Sequence, residues 1–265
     1  MRNVKKITLA ALLLIAVGVI GAIITFSLGD DTTLAMERKV DMRNIKNIDI
    51  QADNARVTVH PAGTAQAEIK FEGLTSGGNE PELSAVTEGE TLTIKIQEER
   101  RFIRLTNLMG SPSLHIYLPE ERYESLAVEM DNGAFQAEDL SVTELQVKTD
   151  NGSITLDRIS GDTANVSTSN GKINMNHVAG DITGKSNNGA ISLDVADLDR
   201  HINLETDNGK ITVQTENEPT NAVIDARTGN GKITVFGNSD WDTMIGAGEN
   251  EIKLRTDNGR ITIEK

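Results

Sequence analysis

Thr149-Asp150-Asn151-Gly152, followed by Ile154 and Leu156, is the stretch that decides the fold. Its first four residues return as Thr206-Asp207-Asn208-Gly209 and Thr256-Asp257-Asn258-Gly259. Relaxed copies stand at Met130-Asp131-Asn132-Gly133, Thr168-Ser169-Asn170-Gly171, Ser186-Asn187-Asn188-Gly189 and Thr228-Gly229-Asn230-Gly231. A degenerate eighth copy, Ala52-Asp53-Asn54-Ala55, has Ala55 in place of glycine.

Apolar residues flank each Asn-Gly at fixed offsets. Leu145/Val147, Ile202/Leu204 and Ile252/Leu254 stand six and four positions before the asparagine. Ile154/Leu156, Ile211/Val213 and Ile261/Ile263 stand three and five positions after it. Alternation with period two on both sides of a fixed turn predicts two half-buried strands per unit. One unit departs, with Gly184 at the position that Val166 and Leu204 fill in its neighbours. The Asn-to-Asn spacings are 19, 19, 18, 20, 22 and 28. Such a period reads as a repeat in which each unit buries its apolar side by stacking on the next. A second corner recurs at Gly161-Asp162 and Gly180-Asp181.

Asn-Gly between strands is also a strong signal for a two-residue hairpin. A chain of such hairpins would put the same residues on one face, so periodicity leaves the two architectures open. The constant coil length and the recurrence of Thr, Asn, Gly and Ile in columns favour an all-β, single-stranded parallel β-helix of about 20 residues per coil. An array of Asn-Gly β-hairpins is the alternative. In a solenoid the asparagines stack about 4.8 Å apart and bond from rung to rung. Glycine is expected to supply a positive φ at the corner.

The rest of the chain supplies the address. Arg2, Lys5 and Lys6 precede an uncharged run from Ile7 to Gly29, and Asp30 and Asp31 follow it. About 20 apolar residues span a bilayer as a helix. The charge asymmetry places the N-terminus in the cytoplasm and the bulk outside. Residues 1–29 are read as a basic tip and uncleaved single-pass anchor, with a cleaved signal peptide as the rival. Residues 30–44 read as a linker. Residues 45–125 read as an N-terminal β region containing the degenerate first repeat, and 126–265 as the solenoid repeats.

There are five prolines, eight aromatics and no cysteine among 265 residues, which excludes disulfides, thiol catalysis and lipoprotein attachment. Beyond the anchor lie 23 basic and 40 acidic residues, a net of −17 against −14 for the whole chain. That balance argues against nucleic acid, anionic lipid and wall polyanions as partners.

The repeated Thr-Asp-Asn-Gly-x-Ile-Thr-Val pattern, Leu118-Pro119 before the repeats and the N-terminal apolar run resemble a bacterial β-strand-repeat family labelled "putative adhesin". Its LiaG-like, membrane-anchored members are linked to envelope-stress operons. The resemblance covers residues 45–265. It implies a β-helix on the outer face of the membrane, and it brings no catalytic residues with it.

The structural corner residues are Asn132, Gly133, Asn151, Gly152, Asn170, Gly171, Asn188, Gly189, Asn208, Gly209, Asn230, Gly231, Asn258 and Gly259. Asp131, Asp150, Asp207 and Asp257 precede four of the asparagines. Lys172, Lys210, Lys232 and Arg260 follow two positions after, where they are expected to neutralise that acidic column. The acids lack calcium-repeat spacing, and His60, His115, His177 and His201 are dispersed. No catalytic residue, metal site or cofactor is therefore assigned. Trp241, in an insertion at 236–248, is the one candidate interaction residue, since aromatics on loops stack on sugars or anchor partners.

The reading is a non-enzymatic, membrane-anchored surface protein acting in binding, adhesion or envelope stress, with a protein or a cell-wall glycan as partner. A carbohydrate-active β-helix enzyme and a calcium-dependent surface module are the alternatives. The last strand, Ile261–Lys265, is expected to leave a bare edge that is protected only by the charges of Glu264 and Lys265, or that docks a second copy or a partner by strand addition.

Overall fold

The computed structural model describes residues 32–75, 81–97, 112–239 and 243–265. The strands are β1 (Thr32–Asp41), β2 (Asn47–Ala62), β3 (Gln66–Thr75), β4 (Glu82–Glu88), β5 (Thr91–Gln97) and β6 (Ser113–Pro119). Then come β7 (Arg122–Ser160), β8 (Thr163–Thr168), β9 (Ile173–Asn176), β10 (Asp181–Ser186), β11 (Ile191–Val195) and β12 (Ile202–Asn208). The last are β13 (Ile211–Thr215), β14 (Ala222–Asn230), β15 (Ile233–Val235), β16 (Met244–Ile245), β17 (Asn250–Asn258) and β18 (Ile261–Glu264).

Strands on the two sides of an Asn-Gly corner pair with other turns of the chain and not with each other. β8 pairs in parallel with β7 and β10, while β9 pairs in parallel with β7 and β11. Successive turns thus stack in register, as a solenoid requires and a hairpin array does not. Strands before each corner form one face, here face A, and strands after it form face B. Ile, Leu and Val at the alternating positions point between the faces and are buried, as with Ile154, Leu156, Ile211 and Val213 at 0% exposure. Each such side chain contributes about 1.5–3 kcal/mol on burial. No turn has a second layer to cover it, so these contributions are collected only by stacking.

Spatial order departs from chain order at both ends. On face A, β2 lies between β5 and β7. On face B, it lies between β6 and β7. The β5–β6 turn is covered by antiparallel strands: β4 on β5, β3 on β6, and β1 on β3. Within residues 30–44, expected to be linker, Thr32–Asp41 therefore form a ten-residue strand paired along its whole length.

At the other end, β17 lies between β12 and β14, and β18 lies between β13 and β15. The bare C-terminal rung expected from the sequence is instead internal, and Ile261 and Ile263 are fully buried. The irregular spacings explain how. The 22-residue interval from Asn208 to Asn230 carries the chain past one vacant level, a rise of about 9.6 Å instead of 4.8 Å. The 28-residue interval brings it back to fill that level. The end turn is β14–β15, where Ala226 and Ile233 are only half-buried. Its outer side carries the two-residue β16 beside Ala222 and Val223, and a Val235–Asn238 bridge.

Among the described residues no helix is long and apolar enough to cross a membrane. The proposed anchor, residues 1–29, lies outside the described residues, as does Trp241.

Candidate functional site

The corner residues assemble as a continuous ladder. Asn132 Nδ2 donates to Asn54 Oδ1 at 2.7 Å, Asn151 to Asn132 at 3.0 Å, Asn170 to Asn151 at 2.9 Å and Asn188 to Asn170 at 2.9 Å. Asn208 donates to Asn188 at 2.9 Å, Asn258 to Asn208 at 3.0 Å and Asn230 to Asn258 at 2.9 Å. Inside the corner, Thr168, Ser186, Thr206, Thr256 and Thr228 donate their hydroxyls to the glycine carbonyl of the adjacent turn.

Those carbonyls explain the glycines, and the explanation differs from the expected one. Of the corner glycines only Gly133 has a positive φ, at 127°. A Cβ on Gly171, Gly189, Gly231 or Gly259 would lie within 1.9 Å of the stacked glycine's carbonyl oxygen. Close approach of backbone, not left-handed geometry, excludes a side chain there. The repeated amide and hydroxyl groups are thus bonded from turn to turn within the coil.

Three of the four left-handed non-glycine residues among the described residues stand at the second corner, the fourth being Phe236 just after β15. Asp139, Arg158 and His177 have φ of 53°, 53° and 51°. Arg158 bonds Asp139 through two nitrogens, at 2.6 and 2.9 Å, and also pairs with Asp157. The guanidinium holds the Asp139 carboxyl below the usual range, and Arg158 is raised in turn. A shallow groove beside this corner is lined by Asp157, Arg158, Ser160, Asn176, His177 and Asp194.

The outer side of face B forms three rows that run along the stack. The middle row carries hydroxyls and amides: Thr155, Asn174, Ser192, Thr212, Thr262 and Thr234 are in register. The row nearer the second corner is acidic or amide, with Asp157, Asn176, Asp194, Gln214 and Glu264. The row beside the Asn ladder holds Lys172, Ala190, Lys210, Arg260 and Lys232. Backbone bonds from Ile173, Ile191, Ile211 and Ile261 to the carbonyls of Ala190, Lys210, Arg260 and Lys232 place these positions one above another.

Charge is handled differently on the two faces. On face A, Lys148 pairs with Glu129 at 3.3 Å, Lys185 with Glu205 at 3.6 Å, and Arg227 and Arg255 with Asp225. Burial favours the neutral form of Asp225, but the two arginines outweigh it and hold the carboxyl low. On face B, no ion pair among the described residues involves Lys172, Lys210, Arg260 or Lys232. The expected neutralisation of the Asp column by this row is therefore not made as contacts. At the far end of face B, His60 stacks on Tyr117 with centroids 5.8 Å apart, and its Nδ1 lies 2.7 Å from Glu138. Thr58 and His115 are 2.7 Å apart beside them.

Two residues that the sequence did not single out hold the displaced end turns together. Asp199 accepts bonds from the Thr220 hydroxyl at 2.7 Å and from the backbone N–H groups of Thr220 and Asn221. The Thr220 bond, with those amides, outweighs burial and holds the carboxyl low. Asn221 in turn bonds Glu249 by side chain and backbone, just before β17. The 20- and 22-residue spacings were the only sequence signal of this clamp. Among the described residues no group of three or more His, Asp or Glu is placed to hold a metal ion.

Solved structures that match this chain include a putative cell adhesion protein from Clostridium sporogenes, 14% identical, covering 88% of this chain and 99% of its own, with a TM-score of 0.45. A putative adhesin from Bacteroides fragilis is 11% identical, covers 87% of this chain and 97% of its own, and has a TM-score of 0.47. No curated protein matches. The Toastrack DUF4097 family matches residues 45–176 and again 135–264, which spans the whole stack, and the chain belongs to that family.

Proposed function

We propose that this is a membrane-anchored, extracytoplasmic β-solenoid that works without catalysis, as a surface-binding or adhesion module in the cell envelope, including under envelope stress. The observation that carries the reading is face B. It is a flat, registered strip of polar side chains that point outward and are not consumed by the coil. The basic tip and apolar run at residues 1–29 support the address. The names of the matching structures accord with a surface role.

The experiment is crosslinking and pull-down of the intact protein from its own membranes, with protease accessibility of whole cells. Protection of residues 32–265 in intact cells with digestion after lysis would overturn the address. Recovery of the chain without envelope protein or glycan would overturn the binding role.

A carbohydrate-active reading has one observation in its favour. Asp157 and Asp194 flank Asn176 in the groove at the second corner. Asp157 is already ion-paired with Arg158, so it is not free to engage a substrate. Release of new reducing ends from envelope glycan, abolished by Asp194→Asn, would establish that reading.

A further inference from the structure

The row Lys210, Arg260 and Lys232 occupies three consecutive levels of face B, because β18 is seated between β13 and β15. Chain order alone would have put Lys232 in the middle. The fold instead puts the planar, multi-donor guanidinium of Arg260 there, with an ammonium on each side. The three cations recur at one rung, about 4.8 Å. Beside each, two residues on, is a threonine on the same face: Thr212, Thr262 and Thr234. Lys172 continues the row after Ala190. All four cations are exposed and, among the described residues, none is ion-paired. The cations Lys148, Lys185, Arg227 and Arg255 on face A do have acidic partners.

Three like charges at this spacing repel one another. A coil that needed only solubility would be served as well by the alternation seen on face A. An unpaired cationic row backed by a hydroxyl row fits a polymer that offers both anions and hydroxyl groups along its length. We propose that this strip binds a linear acidic glycan that lies along the stacking axis, its carboxylates on Lys210, Arg260 and Lys232 and its hydroxyls on the threonine row. The proposal rests on the reading of face B as the binding surface and names the ligand class it takes. The net charge of −17 beyond the anchor does not forbid it. Repulsion from distant acids is screened beyond about 8 Å at physiological ionic strength, while contact pairs persist. Because the contacts themselves are between opposite charges, binding should weaken as salt rises.

The test uses the full-length protein in detergent micelles and three probes: polygalacturonate, its fully methyl-esterified form, and polyphosphate. Expected is binding to polygalacturonate, which weakens with salt and is lost on esterification. The triple variant K210Q/R260Q/K232Q should weaken it by roughly tenfold or more, equivalent to about 1.4 kcal/mol. A control triple, K39Q/K148Q/K185Q, removes the same number of charges from ion-paired positions and should change affinity by less than about twofold. The double variant K210R/K232R should retain binding. Equal loss in the two triples would overturn the site, since net charge alone would then explain it. Binding of polyphosphate alone would overturn the glycan assignment. Absence of binding to all three would overturn this inference and leave the pull-down to decide the broader reading.

Discussion

Ile202 stands in parallel register with Ile252, fifty positions further along the chain. This pairing makes the C-terminal turn an internal layer. The level next to β12 is not taken by the next repeat in sequence but by the last one.

The first prediction follows from that layer. Ile261 N–H donates to the Lys232 carbonyl at 3.0 Å, and the side chains of Ile261 and Ile263 are fully buried. Their amides should exchange as slowly as those of Ile211 and Val213 in native-state hydrogen exchange. Exchange at the rate of a frayed terminus would show that β18 is not inserted. Removal of residues 250–265 should unfold β14 and β15 together, since both rest on that layer.

Two glycine substitutions should separate backbone contact from core space. A Cβ at Gly171 would meet the Gly152 carbonyl oxygen at 1.7 Å, and a main-chain shift must propagate through the stack. Gly171→Ala should cost more than about 2 kcal/mol in urea unfolding. At Gly184 the nearest atom is the Leu204 Cδ2 at 2.9 Å, the mobile end of a side chain. Gly184→Ala should cost less than about 1 kcal/mol, while Gly184→Leu overpacks the core and should cost about 1–3 kcal/mol.

The Asn ladder should be measurable one rung at a time. Asn170 donates to Asn151 and accepts from Asn188. Asn170→Ala should cost about 0.5–1.5 kcal/mol. Asn170→Asp should cost more at neutral pH, because a carboxylate oxygen would face the Asn151 Oδ1 with no proton between them. That excess should shrink as the pH falls through the raised carboxyl pKa of the variant, since the protonated group donates again. A pH-independent difference in melting temperature between the two variants would refute the ladder geometry.

The Asp199 clamp has the opposite pH sign. Its folded pKa is below its ordinary value of 3.8, so its contribution is present above that value and is lost as pH falls through the depressed one. Asp199→Ala should remove about 1–3 kcal/mol at pH 7. The gap between variant and parent should narrow below about pH 4, near the ordinary carboxyl range. Urea unfolding at pH 7 and pH 3 measures both.

The local sequence is informative about the coil because each corner solves one problem with the same residues. A stacked turn leaves no room for a Cβ at the glycine, needs an amide that both donates and accepts, and needs a hydroxyl to reach the neighbouring carbonyl. The repeat by itself therefore marks Asn151, Gly152 and Thr168. The reason for the glycine is not legible locally, because the atom that excludes a side chain belongs to a different turn. The column of Lys172, Lys210, Lys232 and Arg260 was visible, but the ion-pairing state of Lys210 and Arg260 was not, since it depends on the direction of side chains across a corner.

By itself the sequence determined the period, the buried columns, the corner residues and the family, all of which follow from contacts repeated between equivalent positions. Only the tertiary structure decided the order of the layers. Ile224 and Ile252 present the same side chain to the same slot, so nothing local distinguishes which of them stacks on Ile202. The choice is made by the length of the connectors and by the Asp199 and Asn221 bonds that hold the chain one level higher. That choice buries the last strand, leaves Ala226 and Ile233 at the open end, and sets Arg260 between Lys210 and Lys232.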